Sequence, residues 1–313
     1  MSDISHTYSP LVSVVMPTFE NVALLGRAIN SVLDQSYKNW ELLIVDNSSN
    51  DGTEALVSKF QNENLNKKIK FYIVTNNGII AHSRNLGINN ANGEWIAFLD
   101  SDDWWEPDKL QISLKEASEN NADLTHHDLF LATNKFNFNF RKKLRSIKLE
   151  SPIFINLLRN GNYIFNSSVL VKSVILNQIN NLDESPTKVT WEDYDCWLRV
   201  SLKTEKFHYI SKPLGSYWIG NGNTSNPLRT IKNLLEISNI YMKNSFKTKP
   251  SWLLYSLGVN LLKLGFYKDA LKFFTQIPLS DIQGLFIIKL MIRYHHAWIG
   301  SKLSDKTYSN LEI

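Results

Sequence analysis

Short apolar segments alternate with helical patterns over the first hundred residues, and this alternation restricts the fold more than any other feature. The segments at 13–19, 40–46, 69–74 and 95–99 are rich in β-branched and aromatic residues, which favours strands. Stretches with helical periodicity or helix-start residues separate them. Strands that alternate with helices form βαβ units on a parallel sheet. The sequence therefore predicts an α/β protein with a mostly parallel sheet flanked by helices.

Polar or turn-forming residues stand where the predicted strands end, namely Pro17, Asp46, Asn77 and Asp100. Open α/β sheets bind their ligands beyond the carboxyl ends of the strands. We therefore expect a ligand site at this edge of the sheet.

An acid cluster follows the strand at 95–99 and consists of Asp100, Asp102 and Asp103. Two like charges about 4 Å apart repel by roughly 4 kcal/mol at an effective dielectric constant near 20, so such acids spread into solvent, take up protons or bind a cation. Mg²⁺ and Mn²⁺ prefer carboxylate oxygens and complete their shell with phosphates. The cluster thus predicts a metal-diphosphate site. A solvated turn that caps the next helix is the alternative, since Pro107 suits a first helical turn.

Five segments, in order and at similar spacing, resemble motifs of the family 2 glycosyltransferases. They are VVMPTF at 14–19, DNSSNDGT at 46–53, NG at 77–78 with RNLG at 84–87, FLDSDD at 98–103, and WEDYDCWLR at 191–199. The resemblance covers roughly residues 11–220. It implies a GT-A fold with a Rossmann-like nucleotide-binding half, and an inverting enzyme that uses a nucleotide sugar, with a UDP-sugar as the expected donor, and Mn²⁺ or Mg²⁺.

The resemblance also implies a donor site. In that site Asp46 accepts a charge-assisted hydrogen bond from the base, and Asp102 binds the metal, with Asp100 near the ribose and as a second ligand. Arg84 contacts the base or the diphosphate, unless it is an ordinary surface or helix-capping arginine, and Asp103 caps or orients the loop. The full set of expected donor-site residues is Pro17, Thr18, Phe19, Asp46, Asn77, Arg84, Asp100, Ser101 and Asp102.

The family's catalytic base falls on Asp193, with Glu192 in support of the acceptor pocket or of Asp193 itself. A carboxylate is a sufficient base for an acceptor hydroxyl. Asp195 is the weaker candidate because it points elsewhere on a helix. Trp191 and Trp197 flank the motif and offer faces that suit sugar rings, although tryptophan is equally common in cores. The alternative is that Glu192 and Asp193 only complement a helix dipole.

The sequence departs from the family at residues 217–225, YWIGNGNTS. Many relatives carry a metal- or diphosphate-binding histidine in this tract, and Gly220 stands there instead. Either Asp102, the diphosphate and water complete the site, or another group substitutes. His126, His127 and His208 are present, but such single histidines in strands are mostly structural. The glycines around Asn221 predict a mobile loop over the donor.

The remaining composition favours a cytoplasmic enzyme, with the inner face of the cell membrane as a second location. Cys196 is the only cysteine, so an internal disulfide is excluded. Residues 1–10 predict a loose polar tail without a secretory signal. The longest apolar stretches, such as 252–262, are too short to span a bilayer. No nucleic-acid partner is expected.

The basic charge is concentrated in the C-terminal part. Residues 226–303 carry eleven lysines and arginines against three acids, whereas the whole chain has a net charge of +4. Helical patterns cover 231–242, 252–264, 267–274 and 280–299, and residues 261–271 resemble one tetratricopeptide-like hairpin. These helices either contact an anionic membrane where lipid-linked acceptors reside, or pack on the protein with a solvated basic face. We thus expect a tail at 1–10, a catalytic domain at 11–225 and a helical extension at 226–313.

Together these features predict an inverting glycosyltransferase that acts on a saccharide or lipid-linked saccharide, in bacterial surface polysaccharide or lipopolysaccharide assembly. A catalytically weak binding or scaffold subunit of such an assembly complex is the alternative. A sugar-phosphate nucleotidyltransferase is disfavoured, because residues 17–20 contain no glycine-rich activation loop.

Overall fold

The computed structural model describes residues 9–65, 68–133, 142–220, 226–243, 245–246, 248–281, 284–304 and 306–308. The chain divides into two compact units. The first comprises Met1–Ile153 and Asn162–Gly220, and the second comprises Phe154–Gly161 and Asn221–Ile313.

The first unit is built on one sheet, which has nine strands in the described residues, in the order β3-β2-β1-β4-β8-β6-β9-β5, with β7 paired to β6. The strands are β1 (Val12–Thr18), β2 (Trp40–Asp46), β3 (Ile69–Ile73), β4 (Trp95–Phe98), β5 (Trp104–Trp105), β6 (Leu124–Ala132), β7 (Lys143–Leu144), β8 (Leu170–Lys172) and β9 (Phe207–Trp218). The helices are α1 (Val22–Leu33), α2 (Thr53–Glu63), α3 (Ile80–Asn89), α4 (Lys109–Glu119), α6 (Ser173–Gln178) and α7 (Glu192–Ser201), and the segment that becomes α5 (Ile153–Asn160) belongs almost wholly to the second unit.

The predicted α/β class is confirmed, and the sheet is mixed. Strands β3, β2, β1 and β4 run parallel, whereas β8 joins β4 in the antiparallel direction and β6 joins β8 likewise. Every residue of β1 and β2 is buried, as expected for parallel strands covered on both faces. One face is covered by α1, whose buried side chains include Leu25, Ile29 and Val32.

The start of α2 is capped by a residue of the preceding turn. Thr53 is the first helical residue, and the capping acceptor is Asp51, whose Oδ1 accepts hydrogen bonds from the Thr53 backbone N–H at 3.1 Å and hydroxyl at 2.7 Å. An aspartate before the first turn satisfies an amide that the helix itself leaves free.

The second unit is helical, as predicted, with α8 (Pro227–Ile237), α9 (Ser251–Lys263), α10 (Tyr267–Thr275) and α11 (Leu285–Leu303) joining α5. A π-helical turn at Ser238–Met242 continues α8. Leu257, Leu261 and Phe273 are buried between these helices. The last helix begins later than residue 280 because Gly284, at φ +54°, interrupts the chain before it. Among the described residues we find no helix that combines the length and the apolar character needed to cross a bilayer.

Candidate active site

The parallel strands bring their carboxyl ends to one edge of the sheet, as the sequence predicts. In the register of β1 and β2, Thr18 lies opposite Asp46, and Asp46 lies opposite Ile73 of β3. On the other side of β1, Val15 pairs with Phe98 of β4, and Asp100 follows two residues later. The residues expected from the sequence to hold a nucleotide therefore stand on neighbouring strands.

The end of β1 forms a half-open surface. Pro17 and Thr18 are buried, and the next residue, Phe19, has 57% of its side chain exposed. Thr18 Oγ1 is buried without a hydrogen-bond partner in the part of the chain that the structure describes. A buried hydroxyl without a partner is costly, so Thr18 marks a place where a ligand atom would restore a hydrogen bond.

The Asp46 carboxylate is buried and held by its own turn. It accepts hydrogen bonds from the Ser49 backbone N–H at 2.9 Å and from the Ser49 hydroxyl at 2.5 Å. These bonds fix the direction of the carboxylate, and each oxygen retains a further lone pair. Asp46 can therefore accept from a ligand while its position is set in advance.

The turn after β3 contains two asparagines, and the buried one is not the one expected from the sequence. Asn77, the residue singled out in the sequence, is exposed and has φ +52°. Asn76 is the buried one, and its side chain donates to Ser83 Oγ at 2.7 Å and accepts from the Gly78 N–H at 2.8 Å. Sequence reasoning missed Asn76 as the residue that shapes this turn, although an asparagine before Asn-Gly is a turn signal.

Asp100 is the most strongly bonded acid of the cluster after β4. Its Oδ1 accepts from Arg84 Nη2 at 2.8 Å and from Asn166 Nδ2 at 3.0 Å, and its N–H donates to Ser167 Oγ at 3.1 Å. Asp100 is therefore oriented by three side chains from two separate parts of the chain, Arg84 on α3 and the adjacent Asn166 and Ser167.

The other two acids of the cluster differ in what they contact. Burial and, next, the charge of Asp100 raise the pKa of Asp102 to about 6. Asp103 is 1% exposed and accepts from the Trp218 N–H at 2.9 Å, and burial followed by the charges of Asp100 and Asp102 raises its pKa well above the usual range. Asp103 thus holds the loop to β9, which agrees with the expected orienting role. Between them, Ser101 Oγ accepts from Asn21 Nδ2 at 3.0 Å.

Arg27 of α1, which no sequence motif singles out, supports this loop. The Arg27 guanidinium carbon lies 3.6 Å from the ring centroid of Trp104 and 4.9 Å from that of Trp218. Its Nη2 donates to the Asp102 carbonyl at 2.8 Å. A guanidinium stacked on aromatic rings is stabilised by cation–π attraction, so Arg27 fixes the backbone that carries Asp102.

Arg84 is buried, and it connects the acid cluster with the start of α7. Its Nη1 donates to Glu192 Oε1 at 2.5 Å and its Nη2 to Asp100 Oδ1 at 2.8 Å. Burial opposes its charge, but the carboxylates of Asp100 and Glu192 raise the pKa of Arg84 further. One guanidinium therefore brings the predicted donor-side acid and the predicted base motif together.

The two acids at the start of α7 have separate tasks. Glu192 is buried. Its carboxylate accepts hydrogen bonds from Arg84 Nη1 and, at 2.8 Å, from the Thr190 N–H. Asp193 is half-buried, and its carboxylate accepts from Asn162 Nδ2 at 3.0 Å and from the Tyr194 N–H at 2.7 Å. Burial first, and then the charge of Glu192, raise the pKa of Asp193 to about 7. A carboxylate with a pKa near neutrality is well suited to proton transfer.

The remaining residues of the base motif are structural. Asp195 is fully buried and pairs with Lys188 at 2.6 Å and with Arg199 at 2.7 Å. Trp191 and Trp197 are 4% and 1% exposed, and Trp197 packs edge-on against Phe98 at 6.0 Å. Neither indole face is open to a sugar, so both tryptophans belong to the core.

The tract that departs from the family lies beside the acids. Burial first, and then the charges of Asp103, Asp100 and Asp102, raise the pKa of Tyr217 to about 12, and the N–H of the next residue, Trp218, donates to Asp103 at 2.9 Å. A Cβ added at Gly220 would lie 2.9 Å from Trp218 Nε1, so a larger residue there would displace this indole. The predicted loop at 221–225 falls outside the described residues.

The three candidate histidines are engaged elsewhere. His126 and His127 are buried in β6, and burial lowers the pKa of His126 to about 3. Their Nδ1 atoms bond to Ser146 Oγ and to the Asp128 carbonyl, both at 2.7 Å. His208 lies 3.0 Å from Glu116. These contacts support the structural interpretation of all three.

The acid cluster fits a cation that keeps most of its shell for a ligand. Among the described residues, no group of three or more histidine, cysteine or acidic side chains is placed to enclose a metal. Asp102 has a pKa raised by burial and by a neighbouring carboxylate, and a cation would relieve both effects. Mg²⁺ and similar ions are commonly bound by one or two carboxylates plus substrate phosphates. Asp102, with Asp100 beside it, is such a partial ligand set.

Comparison with known proteins agrees with this arrangement. Residues 13–178 match the family model described as Glycosyl transferase family 2. An uncharacterized glycosyltransferase of Methanocaldococcus jannaschii is 31% identical over 288 residues, which cover 90% of this chain and 93% of that protein. Two Rickettsia glycosyltransferases are 44% and 43% identical over 115 residues, and this chain spans only 18% of their length.

Two further matches carry more specific names. Escherichia coli WfgD, named as a UDP-Glc:α-D-GlcNAc-diphosphoundecaprenol β-1,3-glucosyltransferase, is 34% identical over 124 residues, 40% of this chain and 47% of that protein. The crystal structure of Staphylococcus aureus TarS 1–349 with UDP-GlcNAc gives a TM-score of 0.59 at 18% identity, covering 96% of this chain and 94% of that one. The structural likeness concerns the fold, and the predicted GT-A fold is thereby confirmed.

Proposed function

The chain belongs to glycosyltransferase family 2, and on that premise we propose that it transfers a sugar from a nucleoside-diphosphate donor to an acceptor hydroxyl, with inversion at the anomeric carbon. A UDP-sugar is the donor we expect first. The catalytic machinery is divided between the ends of the parallel strands and the start of α7.

The observation that carries the proposal is the double contact of Arg84. Its guanidinium binds Asp100 after β4 and Glu192 at the start of α7, at 2.8 and 2.5 Å. Since Asp193 follows Glu192 directly, the group proposed as base is held next to the acids proposed to face the diphosphate. An inverting transfer requires this arrangement, because base and leaving group act on opposite sides of one carbon.

The donor is proposed to lie over the strand ends. Asp46 accepts from the base, with its direction already set by Ser49. Thr18 supplies the buried hydroxyl that has no partner in the described part of the protein, and Phe19 offers an exposed ring for the nucleoside. Asn77 is exposed at the same edge and stays a donor-contact prediction.

The diphosphate side is proposed to depend on Mn²⁺ or Mg²⁺ held by Asp102, with Asp100 and Ser101 beside it. Such an ion neutralises the charge that develops on the departing diphosphate. Arg27 fixes the backbone of Asp102 through the bond to its carbonyl. Arg84 contributes positive charge nearby, although its Nη1 and Nη2 already donate to the carboxylates of Glu192 and Asp100.

Asp193 is proposed to take the proton of the acceptor hydroxyl as the oxygen attacks the anomeric carbon. The new bond forms from the face opposite the diphosphate, which leaves with its bonding electron pair, and the proton remains on Asp193 until solvent takes it. Asn162 and the Tyr194 N–H hold the carboxylate in one direction. Glu192 keeps Arg84 in place and raises the basicity of Asp193.

We base the proposed acceptor class on the name of one relative. The name of WfgD includes a diphosphoundecaprenol-linked sugar. We therefore expect the acceptor here to be a saccharide or lipid-linked saccharide of a surface polysaccharide. Work on the cytoplasmic side of a membrane is consistent with such an acceptor and with the free, buried Cys196.

Thermal shift with a panel of nucleotide sugars, with and without Mn²⁺, tests the donor. A ligand at a hundred times its Kd stabilises a protein by about 2.7 kcal/mol, so the true donor gives a clear metal-dependent rise in Tm. Release of nucleoside diphosphate by the wild type, and its loss in Asp193→Asn with donor binding retained, would support an enzyme. Donor binding without turnover by the wild type, on any acceptor tried or on water, would favour the scaffold alternative instead.

A further inference from the structure

The last helix, α11 (Leu285–Leu303), exposes an unusual amount of apolar surface. Its inner side is buried at Leu290 and Ala297. Eight large apolar side chains on other sides of the helix are 39 to 81% exposed, and we call them the outer face. They are Ile287, Ile288, Met291, Ile292, Tyr294, Trp298, Ile299 and Leu303.

These residues form one contiguous surface. At about 100° and 1.5 Å per residue, they occupy roughly the half of the helix opposite the buried side formed by Leu290, Ala297 and Gly300, and they extend over about 24 Å. Soluble monomers rarely expose a contiguous apolar patch of that extent unless it binds something. A helix that is apolar on all sides is normally covered on all sides.

The charges of α11 indicate what covers the outer face. The helix carries Lys289, Arg293 and Lys302, and no aspartate or glutamate. Lys289 and Arg293 are four residues apart and follow one border of the outer face. Lys302 Nζ lies 3.8 Å from the ring centroid of Trp298, with its amine beside an aromatic ring, as at membrane interfaces.

A second copy of this helix is a poor partner for these charges. Two copies packed through their outer faces would bring six basic side chains together, and α11 has no acid to neutralise them. An anionic lipid surface supplies both an apolar layer and negative charge. Exposed tryptophan, tyrosine and isoleucine with flanking lysine and arginine are typical of helices that lie in the plane of a membrane interface.

We propose that the outer face of α11 binds an anionic membrane surface, with the helix lying in the interface. The inference does not depend on the proposed glycosyl transfer. It assigns to one helix a contact that the basic charge of residues 226–303 leaves unspecified.

Co-sedimentation with vesicles tests it, using phosphatidylcholine alone and phosphatidylcholine with about 30% phosphatidylglycerol, since anionic lipids attract basic segments. The wild type should bind the anionic vesicles more tightly, and less so at high salt. The variant K289Q/R293Q should lose about 25-fold in affinity for them, at about fivefold for each basic residue. The variant I288S/I292S/I299S should lose tenfold or more on both vesicles, since it removes apolar area and no charge.

The matched control is L65S/V174S/L202S, which removes three apolar side chains that are 84, 52 and 61% exposed in the first unit. Its vesicle affinity should equal that of the wild type. The changed α11 side chains are exposed, so circular dichroism should show unaltered melting for all variants. Equal binding of wild type and I288S/I292S/I299S would overturn the proposal. So would a lipid-free dimer in sedimentation velocity that only I288S/I292S/I299S disrupts, because a second copy would then cover the outer face.

Discussion

The pH dependence of transfer is the sharpest consequence of the environment of Asp193. Burial and the charge of Glu192 raise its pKa to about 7, whereas an ordinary aspartate titrates near 3.9. If Asp193 is the base, about a tenth of it is ionised at pH 6 and about a hundredth at pH 5, so kcat/KM should fall about tenfold per pH unit below 7. The assay is initial-rate release of nucleoside diphosphate in the presence of acceptor, from pH 5 to 9.

Two variants separate Asp193 from its neighbours. Asp193→Asn keeps the shape and removes the base, so transfer should fall by about 10²–10⁴ and lose the pH dependence near 7. Asp195→Asn breaks the buried contacts to Lys188 and Arg199 and should cost about 3–5 kcal/mol of stability, while the folded fraction keeps the same pH profile. Saturating Mn²⁺ keeps Asp102, whose own pKa is raised to about 6, ionised during the assay.

The same raised pKa predicts a stability effect of known sign. The folded state binds the Asp193 proton more tightly than the unfolded state, so this group lowers stability as pH rises from about 4 to about 7. Asp193→Asn should therefore have a higher Tm than the wild type at pH 8, and an equal Tm below pH 4. A wild-type kcat/KM that begins to fall only near pH 4 would refute the assignment of Asp193 as base. So would an Asp193→Asn variant whose kcat/KM still falls below pH 7 as in the wild type.

Three further outcomes are expected. Asp102→Asn should abolish the Mn²⁺-dependent part of the donor thermal shift and lower turnover strongly. The Tm of the free protein should stay the same, and normal metal-dependent donor binding would contradict the proposed site. Asp46→Ala should raise the donor KM with little change in kcat, and a donor complex with the base remote from Asp46 would contradict its role. Arg84→Gln leaves two acids without their cation, so urea unfolding should show a loss of about 3–5 kcal/mol; Lys59→Gln, which removes an exposed lysine, is the control and should change stability by less than about 0.5 kcal/mol.

The local sequence pattern predicts much of the fold and several residues of the candidate site. The strand positions follow from apolar runs such as 40–46, which correspond to β2 residue for residue. Since the carboxyl ends of parallel strands share one edge, Asp46 and Asp100 were placed together by topology alone. The start of α7 at Glu192 was likewise predictable from an acidic first turn.

Contacts between segments that are distant along the chain could not be predicted from the sequence. Trp191 and Trp197 suited a sugar platform by type, and only packing shows them in the core. Arg84 lies 108 residues from Glu192 along the chain, and Arg27 lies 75 residues from Asp102, so no local pattern marks either pairing. The outer face of α11 was equally hidden, because periodicity cannot tell a helix buried on all sides from one exposed on half of its surface. The sequence by itself determined which strands and helices form and which acids stand at their ends. The tertiary structure decided which side chains share a charge, a ring or a surface, because burial and long-range contacts exist only once the chain has folded.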